Sequence, residues 1–175
     1  PGGSRCDTFK QPCTLPYRAR TAKVITWYYT DDSNMEYFEP TDEATHEWDV
    51  ALRSAIRSAQ YAECASTGGT PEQCAADFPT YFGQQDDNAN AVKLAAEVDI
   101  CRAQNRGNEA ACDGKAQEIG GQRQLAPGVI AIAAMPEQLV LCHSPVEAGD
   151  HAACAPADKR VPLGVTAGQC AALKS

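Results

Sequence analysis

KVITWYYT, residues 23–30, and TDEATHEWDVALRSAI, residues 41–56, are the stretch on which the reading of the fold turns. Val24, Ile25, Thr26, Trp27, Tyr28, Tyr29 and Thr30 are all β-branched or aromatic, which suits a pleated surface buried on at least one side. The run predicts a strand. After the acidic turn region DDSNMEYFEP, Thr41 is placed to cap a helix, with Asp42 and Glu43 where carboxylates favour its positive end. Trp48, Leu52, Ala55, Ile56 and Ala59 then follow the spacing of one apolar stripe, as in a helix packed on a sheet.

Around this strand-to-helix unit the chain of 175 residues has the size of one domain. Residues 1–22 read as a stapled loop leading into the strand. The helix is expected to run over 42–64, and Thr70 to cap a short second helix after the Gly68, Gly69 and Pro71 turn. Phe78, Tyr81 and Phe82 form an aromatic loop whose rings are expected to cover the core rather than stack on a ligand. A further helix is predicted over 88–105 from the stripe Ala91, Leu94, Ala95, Val98 and Cys101, with Gly107 as its stop. Residues 108–121 add one short helix before the Gly120-Gly121 break, so 62–121 reads as a helical insertion. Two apolar runs, 128–135 and 139–143, predict strands that join the first in one sheet. Residues 144–175 are rich in Pro, Ala, Gly and charge and read as an irregular segment. The expected fold is therefore α+β: a small mixed or antiparallel sheet on a helix, with a disulfide-tied helical insertion.

Composition narrows the function classes. The net charge is −8, and residues 31–50 hold Asp31, Asp32, Glu36, Glu39, Asp42, Glu43, Glu47 and Asp49 with no Lys or Arg. Residues 1–30 lean basic. No basic stripe is present to neutralise phosphates, so nucleic acid is set aside as a partner. No apolar run reaches the roughly 20 residues of a membrane span. PGGS at the start reads as a tag remnant or the end of a flexible linker to something upstream.

Nine cysteines give the strongest compositional signal. None forms a CxxC, so neither a zinc ribbon nor a thioredoxin-type site is indicated. Sequential pairing predicts bridges Cys6–Cys13, Cys64–Cys74, Cys101–Cys112 and Cys142–Cys154, and leaves Cys170 unpaired or intermolecular. Such a framework implies an oxidising compartment, hence a secreted or cell-surface protein.

Chemistry-bearing motifs are few. His46 precedes Glu47, but position 50 is Val where a zinc-protease helix needs a second His, so His46 is read as a surface or cap residue. Cys142, His143, His151 and Cys154 lack zinc-site spacing and are read as a bridge with two exposed histidines. Asp31, Asp32, Asn34 and Glu36 lack the Gly and distant Glu of a calcium loop and are read as a solvated turn. GxSxG and Gly-rich phosphate loops are absent. No catalytic, cofactor-binding or metal residue is assigned.

VITWYYTDD followed by EATHEWDVALRSAI resembles the opening of a metzincin-like zinc metalloprotease domain of secreted or lipid-anchored bacterial proteins. The resemblance implies that Trp27 and Trp48 fill core positions, and that VLCHSPVEAGDHAAC corresponds to an insert before the family's next core strands. The family's catalytic helix HExxHxxGxxH does not occur, so no site residue carries over. Two functional expectations follow. One is a non-catalytic extracellular module on a protease-like scaffold, structural or binding, partnered by self-association or another extracellular protein. The other is the N-terminal part of a secreted zinc metalloprotease whose catalytic helix lies beyond Ser175.

Overall fold

The computed structural model describes residues 16–29, 34–81, 85–105 and 109–143. A 3-10 turn at Tyr17–Ala19 leads to strand β1, Ile25–Tyr29, and a second 3-10 turn, Met35–Tyr37, runs directly into helix α1, Phe38–Ser66. Then come α2 (Pro71–Asp77), α3 (Gln85–Gln104), a 3-10 turn at Glu109–Cys112, α4 (Lys115–Gln122), α5 (Pro127–Ala133) and strand β2, Leu139–His143. β1 and β2 pair in parallel, with Ile25 opposite Leu139 and Tyr29 opposite His143. The molecule is predominantly helical.

This overturns the expected sheet packed on a helix. Among the described residues the strands are limited to the single pair β1 and β2. Residues 128–135, expected as a strand, fall mostly within helix α5, because Pro127 occupies the first helical turn, where its missing N–H costs nothing. Val129, Ile132 and Ala133 then fall at helical spacing, and all three are fully buried. They meet Ala91, Leu94 and Ala95 of α3 and Val50 of α1 in one cluster, with Tyr81 and Ile119 packed against it. The α3 stripe lies inside as expected, and Tyr81 covers the core.

The start of α1 also differs. Thr41 is not its cap: the helix begins at Phe38 without a side-chain cap, and the Thr41 hydroxyl donates to the Tyr37 carbonyl at 2.6 Å. Phe38 is buried and meets the Tyr29 ring edge-on at 5.2 Å, so an aromatic contact with β1 fixes the helix entry. Further along, the expected apolar stripe is rotated out of the core. Trp48 is 60% exposed and Ala55 is exposed, while Thr45, Asp49 and Arg53 face inward. Trp27 is 47% exposed, so neither tryptophan holds the core position expected of it.

The Thr70 cap and two of the expected bridges hold. Thr70 accepts from Gln73 N and its own N–H donates to the Gln73 side chain, a reciprocal capping box at α2. Gly120 and Gly121 lie within α4 rather than breaking it. Gly120 is needed there, because a Cβ would stand 2.5 Å from Ile130 on α5. Disulfides join Cys64 to Cys74 and Cys101 to Cys112, with Cα separations of 5.7 and 6.0 Å. The first ties the end of α1 to α2, the second the end of α3 to the 3-10 turn that follows it. The expected bridges Cys6–Cys13 and Cys142–Cys154, the fate of Cys170, the Gly107 stop, and Asp31, Asp32, Phe82 and His151 lie outside the described residues. No described helix is long and apolar enough to cross a membrane.

Candidate functional site

Two helices bring four charged side chains into the interior. On α1, Asp49 and Arg53 are one turn apart; on α3, Asp99 and Arg102 are three residues apart. Both spacings put the pair on one helix face. Arg53 is fully buried, Asp49 is 1% exposed and Asp99 6%. Charges this deep require partners, since an unpaired buried ion costs several kcal/mol.

The partners are the backbone and each other. Arg53 Nη2 lies 2.5 Å from an oxygen of each carboxylate, Asp49 Oδ2 and Asp99 Oδ2. Its Nη1 donates to the carbonyls of Met135 at 2.8 Å and Ala133 at 3.3 Å. Arg102 donates to Asp99 Oδ1 at 3.0 Å, to Met135 O at 3.0 Å and to Ala134 O at 2.7 Å. The two guanidinium groups thus gather carbonyls at the end of α5, where the helix leaves acceptors unmatched and its dipole favours a cation. Asp49 Oδ1 accepts from the backbone N–H groups of Gln138 and Leu139, at 2.5 and 2.9 Å. One cluster therefore fixes the end of α5, the turn at residues 134–138 and the entry into β2.

Electrostatics follow the geometry. Burial works against the Arg53 charge, but Asp99 and Asp49 outweigh it and hold its pKa above the ordinary arginine value. Burial raises the Asp99 carboxyl, against the pull of Arg53 and Arg102. At the cluster's edge, burial pushes Asp42 up to about 6, with His46 drawing it part of the way back.

His46 is the one histidine whose side chain the structure describes. It is half-buried rather than on the surface, and its Nε2 lies 2.9 Å from the Val92 carbonyl of α3. His46, Asp49 and Asp99 offer ligand-type atoms within 4.8 Å of one another. A metal ion would need both carboxylates, and the Arg53 guanidinium stands between them as their counter-charge. The donor set fits an internal ion cluster better than a cation site.

A second feature is a cleft of about 620 Å³ beside the Cys64–Cys74 bridge, lined in part by Arg18, Thr67, Gln73 and Phe78. Its cation is engaged: Arg18 Nη1 donates to Thr67 Oγ1 at 3.0 Å, and its backbone N–H donates to Glu63 Oε2. Elsewhere Asn34 Oδ1 accepts from Glu36 N, a local turn contact at the edge of the acidic segment.

The sequence reading assigned none of Asp49, Arg53, Asp99 and Arg102. Their only signal was the opposite-charge spacing within each helix, which on most helices marks an exposed pair. Comparison with family models, with curated proteins and with solved structures finds no match to this chain.

Proposed function

We propose that this chain is a non-catalytic, disulfide-stabilised module of a secreted or cell-surface protein, built on a protease-like scaffold and acting through structural or binding contacts. One observation carries the reading. The buried ionisable cluster, the place where perturbed groups would serve chemistry, spends most of its polar atoms on backbone groups and on one another; among the described residues Arg53 Nε has no hydrogen bond, and Asp49 Oδ2 is held by its ion pair with Arg53 rather than by a hydrogen bond. The two disulfides and the lack of a membrane-spanning helix among the described residues are compatible with an extracellular setting.

A second reading is favoured by the strand pair. Parallel strands are ordinarily buried on both faces within larger sheets, and two strands alone make a marginal sheet. Here β2 is buried on both faces, at Leu139, Val140 and Leu141, whereas Ile25 and Trp27 of β1 are 48% and 47% exposed. Such a ladder suits the opening part of a secreted, metzincin-like zinc protease domain, to which further strands add.

One measurement separates the two. The product isolated from its native source is weighed intact, with and without reduction, its termini are read and its zinc content is determined. A metal-free product with no HExxH sequence is expected. A longer product that carries HExxH and stoichiometric zinc would replace the first reading with the second.

A further inference from the structure

The 3-10 turn at Met35–Tyr37 and the first three turns of α1 present an outer face left exposed among the described residues. Tyr37 and Trp48 are each 60% exposed, and Ala44 between them is exposed. Two aromatic rings thus stand out on either side of a small-residue saddle, eleven residues apart or about 16 Å along the helix. Alongside them run Glu36, Glu39, Glu43 and Glu47, all exposed. Among the described residues none of these carboxylates has an ionic partner. Between Lys23 and Arg53 the sequence holds no Lys or Arg that could supply one.

Folding does not account for this face. Glu39 lies in the first turn, where the helix dipole favours it, but Glu43 and Glu47 lie beyond the dipole's reach. Glu39, Glu43 and Glu47 follow one another at four-residue spacing, where like charges destabilise a helix and Lys would stabilise it. Exposed Trp beside uncompensated carboxylate suits a cation that takes both, its charge on the carboxylate and its flat or methylene part on the ring. The length of the strip demands several such cations in one ligand, which excludes a metal ion or a simple amine.

We propose that this face of α1 is the docking surface for an Arg- and Lys-rich segment of a partner protein. Opposite charge sets the encounter, and the Tyr37 and Trp48 rings hold the segment in register. The inference deepens the reading of the chain as a binding module, yet the two fail separately. Loss of docking leaves the mass, termini and zinc content of the native product unchanged, and a zinc-bearing product leaves the α1 face open to the same assay.

The probe is a synthetic twelve-residue peptide of alternating Arg and Ala, titrated calorimetrically into the intact chain at about 150 mM salt, the regime in which exposed charges more than roughly 8 Å apart are largely screened. Changing Glu36, Glu39, Glu43 and Glu47 together to Gln is expected to weaken Kd about tenfold or more, and Trp48→Ala about threefold to fivefold. A control that neutralises Glu72, Asp77, Asp86 and Asp113, which removes the same charge elsewhere, should leave Kd within about twofold. The first variant should also melt at or above the wild-type temperature, because mutual repulsion is removed. Absence of binding, equal weakening by both sets of four changes, or an unchanged Kd in Trp48→Ala overturns the proposal.

Discussion

Arg53 answers to two carboxylates and two carbonyls from one buried guanidinium, and this makes it the residue on which the interior depends. Arg53→Met leaves Asp49 and Asp99 facing each other without a counter-charge, at an expected cost of about 3–5 kcal/mol in urea unfolding at pH 7. Arg53→Lys should recover little of that, since one ammonium cannot span the same set of acceptors. Asp42 provides a test of opposite character. Its carboxyl binds a proton more tightly in the folded state, with a pKa of about 6 against an ordinary 3.8. Such a group favours folding at low pH, and its penalty grows as pH rises from 3.8 to about 6. Asp42→Asn should therefore raise the urea midpoint at pH 7, leave it nearly unchanged near pH 3.5, and flatten the profile between. Glu63 runs the other way. The Arg18 and Tyr17 backbone N–H groups hold its carboxyl below the usual 4.5, so its contribution is lost only as pH falls through that lowered value.

Among the elements, α5 is short, apolar and closely fitted. A Cβ at Gly128 would stand 2.3 Å from the carbonyl carbon and oxygen of Thr80, backbone atoms that cannot swing aside. Gly128→Ala should cost about 1–3 kcal/mol by pushing the helix off the loop that precedes α3, read as a lower melting temperature. This element also marks where sequence patterns mislead. PGVIAIAAM is rich in β-branched residues and reads as a strand, although Pro127 and the 129, 132, 133 spacing also permit a helix; packing against α3 decides it. The α3 stripe, the Thr70 cap and both described disulfides were legible because each rests on contacts local in sequence. The buried face of α1 was not. Apolar periodicity pointed to Trp48 and Ala55, whereas Asp49 and Arg53 turn inward to meet backbone groups on α5 and β2 that the local sequence cannot reveal.

At the scale of the whole molecule, the strand prediction at residues 23–30 and the helix after it placed a β-then-α unit correctly, but not the sheet around it. β1 finds its one described partner beyond the entire helical block, so the number of strands could not be read from the first hundred residues. The ion cluster then acts as a clasp between the two halves of the chain, because Asp49 and Arg53 from its first third hold Ala133, Met135, Gln138 and Leu139 from its last described part. The parallel pairing of Ile25 with Leu139 has a consequence in time. A ribosome adding roughly 5–20 residues per second needs about 5 to 20 s to make the 110 or so residues between the partners. For that interval ITWYY is an aromatic segment without its neighbour, an unpaired edge open to pairing with others like itself until β2 is made.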